Sequence, residues 1–450
     1  MQRSIVIEVA PSPEISAYEQ RREQLVSELA AARANGASVA LAKTTSNLFR
    51  HRQQTGTKRI DVRAFHHVLS VDGERQIAEV EGMTTYEELA DETLKFGLLP
   101  TVVPQLKTIT IGGAISGIGI ESSSFKYGLV HETVEEMEIL LGDGSTILCS
   151  KTQNPDLFYG FPNSYGTLGY VLRLKVKLIP AKNYVKLTHT RFTEPAQFFA
   201  QIETLCSHRT FDYIDGVVFD SSEMYITTGE FTDEAPFVSD YTYMNVFYKS
   251  IRQRHVDYLI AHDYIWRWDT DWFWCSKHFY VQHAPVRLLA TRRLLNSKTY
   301  QRIMRLAHKF LPESQTESVI QDVDIPIEHT VEFLDFLLRE IGVLPIWICP
   351  FRSYDPSMSY DLCPVDRGKL YINFGFWDTV PSTQPDGYYN KKIEVRALAL
   401  CGVKGLYSTA YYDEETFWQI YNRPTYEALK SKYDPGRCFK DLYEKTVKRM

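Results

Sequence analysis

Between Thr108 and Gly128 the chain reads Thr-Ile-Thr-Ile-Gly-Gly-Ala-Ile-Ser-Gly-Ile-Gly-Ile-Glu-Ser-Ser-Ser-Phe-Lys-Tyr-Gly, and this stretch restricts the fold more than any other. Gly112, Gly113, Gly117, Gly119 and Gly128 lack a Cβ, so the backbone can come close to a ligand. Successive N–H groups in such a loop form a nest for an anion. Ser122, Ser123 and Ser124 add hydroxyl donors. No basic residue lies between Lys107 and Lys126, so a phosphate held here would rest on neutral donors. The spacing is neither G-x-G-x-x-G nor G-x-x-x-x-G-K-[ST]. Taken alone, the loop reads equally well as a glycine-rich turn between strands.

At 450 residues the chain exceeds one ordinary core, which predicts two domains. A formal net charge of −6 argues against general nucleic-acid binding. The seven cysteines are scattered, odd in number and free of any CxxC pair, which speaks against a disulfide frame or zinc site. The histidines show no HExxH spacing, so no metal is expected. No apolar run is long enough to cross a bilayer, and the N-terminus lacks a signal-peptide pattern. The expected location is the cytoplasm or the cytoplasmic face of a membrane.

Helical spacing of Leu25, Val26 and Leu29 predicts a helix over 16–34, followed by a strand over 37–43. Short strands are expected at 59–63, 68–71 and 76–80. Thr84-Thr-Tyr-Glu87 reads as a capping box opening a helix that stops at Gly97. Gly142-Asp-Gly-Ser145 joins a hairpin of 134–141 and 146–149. From Val171 to Ile179, Leu172, Leu174, Val176 and Leu178 alternate with Arg173, Lys175 and Lys177, the pattern of a half-buried strand. Trp266/Trp268 and Trp272/Trp274 would pair on one face of an extended segment, either cap core or the wall of a lipid pocket. From Pro285 to Leu311 there are basic residues and no acidic one, interleaved with Leu288, Leu289, Leu294 and Leu295. This bias over 285–311 fits peripheral docking on an anionic membrane, or a solvated helix face.

Four blocks then occur in the order of the vanillyl-alcohol-oxidase/PCMH-type FAD-binding fold. They are Lys43–Arg50, Thr110-Ile-Gly-Gly113 with Tyr127-Gly128, Gly142-Asp-Gly144, and Gly166-Thr-Leu-Gly-Tyr-Val171. Within that fold the chain resembles the sterol Δ24-reductase (24-dehydrocholesterol reductase, diminuto) family. The matching stretches are Gly117–Ser124 with Lys126–Leu129, Ile179–Leu187, Gln321-Asp322 with Pro326, and Pro345–Phe351. Leu406-Tyr407 with Tyr411 and Phe417-Trp418 completes them. Unlike the animal and plant sterol enzymes, the chain shows no N-terminal anchor; bacterial relatives look more like this form.

The resemblance implies an α+β fold: a PCMH-type FAD-binding domain of two α+β subdomains over 1–182, an α/β cap domain over 183–430, and a return segment over 431–450. It implies FAD held by Ser46, Asn47, Thr110, Ile111, Gly112, Gly113, Gly117, Ile118, Gly119, Glu121, Ser122, Ser123, Tyr127, Gly128, Gly166, Gly169 and Val171. Many members of the wider fold attach flavin through a histidine in the first loop. Here none lies between Lys43 and Arg50, and His51 reads as a loop residue, so the FAD is expected to be non-covalent. The implied activity is reduction of an isolated C=C bond in a sterol or other lipid, with NAD(P)H as electron donor. The alternatives are a methylene-branched fatty acyl lipid as substrate, or oxidation of an alcohol or sugar by the same fold. Glu121, Tyr407 and Tyr411 are the candidate catalytic residues. Each also has a plainer reading: Glu121 as a local cap, the tyrosines as packed aromatics.

Overall fold

The structure, a computed structural model, describes residues 13–33, 39–43, 58–292, 294–300, 302–303 and 316–448. Ser46, Asn47, His51 and Arg293 lie outside the described residues. The fold is α+β, with two antiparallel sheets facing each other across a cleft.

The first sheet contains β3 (Val68–Asp72), β4 (Ile77–Glu81), β5 (Leu98–Pro100), β6 (Val134–Leu140), β7 (Thr146–Ser150) and β8 (Tyr170–Pro180). Its order is β3-β4-β8-β6-β7, with β5 against the end of β8. A separate parallel pair, β1 (Val39–Ala42) and β2 (Lys58–Asp61), precedes it. The alternation of β8 appears as read: Leu172, Leu174, Val176 and Leu178 are buried. Its polar face pairs across the sheet, Lys175 with Glu136 at 3.0 Å and Lys177 with Glu135 at 3.1 Å. The capping box is displaced by one residue. Thr85 caps the helix Tyr86–Leu94, and Glu88 returns the bond to its N–H at 2.8 Å.

The second sheet is built from β9 (Tyr184–Phe192), β10 (Tyr213–Asp220), β11 (Glu223–Thr232), β12 (Val256–Ile260), β13 (Thr316–Pro326), β14 (Ile346–Phe351), β15 (Tyr371–Pro381) and β16 (Val403–Lys404). Its order is β12-β9-β11-β10-β14-β15-β13-β16. Side chains alternate between faces with a period of two. Val319, Val323 and Ile325 of β13, Ile346 and Ile348 of β14, and Phe374 and Phe376 of β15 pack under the helices Pro195–His208, Thr330–Phe336 and Tyr388–Ala399. The intervening residues, among them Asp322, Trp347, Gly375 and Trp377, belong to the opposite face, toward the first sheet.

The helix Arg423–Tyr433 and the chain beyond it pack back on the first sheet. Lys430 Nζ donates to the Thr167 carbonyl at 2.7 Å, and the rings of Tyr170 and Phe439 meet edge to face at 4.9 Å. The tryptophan-rich segment differs from expectation. Instead of an extended strand, residues 266–274 form tight turns, with Trp272 and Phe273 at positive φ. Trp268 and Trp274 are consequently buried in the core, and only Phe273 of this run reaches the cleft. Turn formation overrode the period-two reading because alternation over so few residues cannot distinguish a strand from a series of turns.

Candidate functional site

The cleft encloses about 1630 Å³ not filled by protein atoms, open solvent included. One wall is backbone from Gly82, Gly112, Gly113, Gly117, Gly119 and Gly166; the opposite wall is Phe273, Trp347 and Trp377. Thr110 caps the short helix Ile111–Gly117 through its side chain, which accepts from Gly113 N–H. Gly112 N–H bonds the Gly82 carbonyl at 2.9 Å, and a Cβ on Gly112 would stand 2.7 Å from that oxygen. The glycine is therefore required by the protein's own packing before any ligand is considered. Ile118 then turns with φ of 59°, a left-handed conformation costly for a branched side chain. Tyr165 lies across this turn, its hydroxyl donating to the Gly117 carbonyl at 2.9 Å.

Of the residues implicated by sequence, Thr110, Gly112, Gly113, Gly117, Ile118, Gly119, Gly166 and Val171 line the cleft. Ile111, Ser122, Ser123, Tyr127, Gly128 and Gly169 stand behind it or beside it. Ser122 Oγ donates to Glu121 at 2.8 Å and Ser123 Oγ to the Thr101 carbonyl at 2.8 Å, so both hydroxyls are engaged by protein.

Glu121 lies behind the loop in a buried charge cluster. Arg267 Nη2 donates to Glu121 Oε1 at 2.9 Å and to Asp215 Oδ2 at 2.7 Å, while Trp347 Nε1 donates to Asp215 at 3.3 Å. Burial pushes the Glu121 carboxyl above its ordinary range, against the pull of Arg267. Tyr407 lines the cleft, and its hydroxyl accepts from Trp377 Nε1 at 3.1 Å. Tyr411 is placed elsewhere: its N–H donates to Glu394 and its hydroxyl faces Asp386 at 3.4 Å.

Four further polar residues of the cleft had no site role assigned from sequence: Gln105 and Lys445 were not named, and Lys43 and Asp322 stood only within matching stretches. Gln105 is buried, with neither amide atom bonded to protein. A buried amide without partners is costly, so this group fits the polar edge of a ligand. Lys445, near the Gly166 carbonyl, supplies positive charge to the cleft, as does Lys43. Asp322 keeps part of its surface open to the cleft and accepts a hydrogen bond from Tyr407. Burial pushes its carboxyl up to about 7 despite that bond. Asp322 had a legible signal, a carboxylate in the alternation Val319/Val323/Ile325 versus Asp322/Asp324; Gln105 had none.

A long cleft with a bare-backbone wall, an unpartnered amide, a few cations and an aromatic far wall suits FAD, whose phosphates, uracil-like edge and fused rings need those surfaces in turn. Residues 13–150 match the family described as FAD binding domain. Over 413 residues the chain is 28% identical to the Delta(24)-sterol reductase of Homo sapiens, covering 85% of this chain and 76% of that protein. It is 25% identical over 435 residues to the Delta(24)-sterol reductase of Arabidopsis thaliana, covering 86% and 76%. Similarity to Cytokinin dehydrogenase 1 of Arabidopsis thaliana, 32% identical, spans 147 residues, 32% of this chain and 26% of that one.

Proposed function

Since the chain belongs to the sterol Δ24-reductase family of FAD-binding oxidoreductases, we propose that it reduces an isolated C=C bond in a sterol or comparable lipid, with NAD(P)H as the electron donor. The observation that carries this reading is the wall opposite the glycine loop: Phe273, Trp347 and Trp377 are apolar, and the polar side chains beside them are Asp322 and Tyr407. Such a surface suits an apolar substrate better than a sugar, whose hydroxyls would need several fixed partners.

FAD, non-covalently held, supplies hydride from its N5 when reduced. Thr110, Gly112, Gly113, Gly117, Ile118 and Gly119 would hold its phosphates and Gln105 its polar ring edge, with Gly166, Val171 and Lys445 along the same cleft. An unactivated alkene has no carbonyl to stabilise an anion, so protonation leads and positive charge develops on the more substituted carbon. The indole faces of Trp347 and Trp377 suit that charge. In the proposed division, residues 1–182 bind the cofactor, 183–430 bind the substrate, and 431–450 return to the first unit.

Membrane access belongs to the same reading. Arg287 is not a surface charge, because it is buried in a two-point bond with Asp271 at 2.7 and 3.0 Å. Leu288, Leu289 and Leu294, with Arg292, Lys298 and Arg302, are exposed. Exposed leucines and cations in one stretch of chain suit an anionic bilayer from which a lipid is drawn. Among the described residues no helix is long and apolar enough to cross a membrane. The reading is tested by supplying deuterated nicotinamide and a Δ24-sterol anaerobically. The expected product is saturated at one bond and carries one deuterium. Flavin reduction by an alcohol with no saturated lipid product would point to the oxidase alternative.

A further inference from the structure

We infer that Asp322 is the proton donor to the substrate's double bond, with Tyr407 as its positioning partner, an assignment that rests on the reductase reading above. The placement follows from β-sheet register. Asp322 of β13 stands directly opposite Gly375 of β15, and both belong to the cleft face. A Cβ on Gly375 would lie 2.7 Å from Asp322 Oδ1 and 3.1 Å from the Trp347 ring. A glycine in the middle of a buried strand marks a close approach. Here it opens the niche in which the carboxyl sits, with the Trp347 ring across Gly375 from it.

The hydrogen bonds around that niche run one way. Trp377 Nε1 donates to Tyr407 Oη, which donates to the Asp322 carboxyl. With one oxygen of the neutral acid accepting from Tyr407, the other keeps its O–H for the cleft. The same donor stabilises the carboxylate left after proton transfer, aimed in advance at the charge that develops. Asp324, two residues along the same face, is bonded by Asn373 Nδ2 at 2.8 Å and does not line the cleft. On β16, Lys404 Nζ is turned to the Thr409 carbonyl at 2.6 Å and to Glu394 at 3.4 Å. On β14 the nearest titratable group is the buried thiol of Cys349, which burial holds well above its usual range.

Rival acids are weaker or misplaced. Burial pushes the Tyr407 phenol well above its ordinary value, so it gives up a proton less readily than a carboxyl does. The Tyr165 hydroxyl donates to the Gly117 carbonyl. Glu121 does not line the cleft. Burial raises the Asp322 carboxyl to about 7, so near neutral pH a large fraction is protonated, where general acids work best. In the step itself the Asp322 O–H bond breaks and a C–H bond forms at one alkene carbon. The other carbon accepts hydride from the reduced flavin, itself reduced by nicotinamide, and the Asp322 carboxylate recovers its proton from water.

The holoenzyme and its Asp322→Asn, Asp322→Glu and Tyr407→Phe variants test this. Tyr407→Phe, which removes the donor to the carboxyl, should move the pH inflection upward, and an unmoved inflection would overturn the positioning role. In the wild type, protonated-carboxyl infrared absorption should titrate near pH 7. Asp322→Asn should lose one component of it while those of Asp324 and Glu132, which burial also raises to about 7, remain. Reoxidation of reduced flavin by a Δ24-sterol should fall about tenfold per pH unit above that value. Asp322→Asn should lose roughly 100-fold or more of this rate and its pH inflection, and far less of the rate of reduction by nicotinamide. Asp322→Glu should recover part of the loss. Asp322→Asn with the wild-type rate and pH profile, or with no component lost from the wild-type infrared absorption, would overturn the assignment. A wild type that consumes no alkene overturns the reductase reading with it, a result distinguishable because the infrared absorption needs no substrate.

Discussion

Arg267 is fully buried between Glu121 and Asp215 and lies 4.1 Å from the Tyr264 ring centre, so one guanidinium balances two carboxylates. Breaking a buried pair by removing one partner leaves uncompensated charge, at a cost of about 3–5 kcal/mol. Arg267→Met should therefore lower thermal stability markedly. The deficit should be larger at pH 8 than at pH 5. With the cation gone, the burial that raises the Glu121 carboxyl loses its largest opposition. That carboxyl then holds its proton to higher pH than in the unfolded chain, so stability is lost as pH rises through its range. An Arg267→Met melting point that is unchanged, or that falls more at pH 5, would refute the cluster's electrostatic role. Glu121 was visible in sequence as a carboxylate within a glycine loop, but not its partners, which come from positions 215 and 267 through tertiary packing. Tyr407 and Tyr411 sit four residues apart in one block, and only the structure separates them: Tyr407 lines the cleft, while Tyr411 faces Asp386.

The loop and strands show which patterns carry over from sequence to element. Regular alternation survives: β8 has its buried and ion-paired faces where the leucines and lysines put them. The hairpin around Gly142–Ser145 and the helix stop at Gly97 also agree with their turn chemistry. The tryptophan run does not, because four indoles at alternate positions satisfy a core made of turns as well as a strand. The glycine loop was legible as a close approach, yet part of what approaches is protein. Gly112→Val should therefore reduce the bound flavin per chain severely and also lower the melting temperature, since its side chain meets the Gly82 carbonyl. Full flavin occupancy in that variant would show that the strand β4 end and the loop can separate without harm to the site.

Across the whole molecule, the cleft exists because two sheets present complementary faces. The first supplies backbone from its connecting loops, and the second supplies aromatic rings from alternate positions on β14 and β15. That pairing joins residues more than 200 positions apart, which is why Trp347 and Trp377 gave no sign of sharing a site with Gly112. Outside the cleft, the exposed cations Arg292, Lys298 and Arg302, in the same stretch of chain as the exposed Leu288 and Leu289, should give salt-sensitive binding to phosphatidylserine vesicles. Changing all three to Gln should weaken it by roughly 1 kcal/mol per charge. Equal binding to neutral and anionic vesicles would make this patch an ordinary solvated surface. The central claim, that the two faces enclose FAD and an alkene together, is tested most directly by anaerobic single turnover. Flavin reduced on the protein should be reoxidised by a Δ24-sterol faster than by buffer, yielding the saturated lipid in proportion to flavin. Reoxidation no faster than in buffer for any sterol or branched unsaturated lipid, with no saturated product, would contradict it.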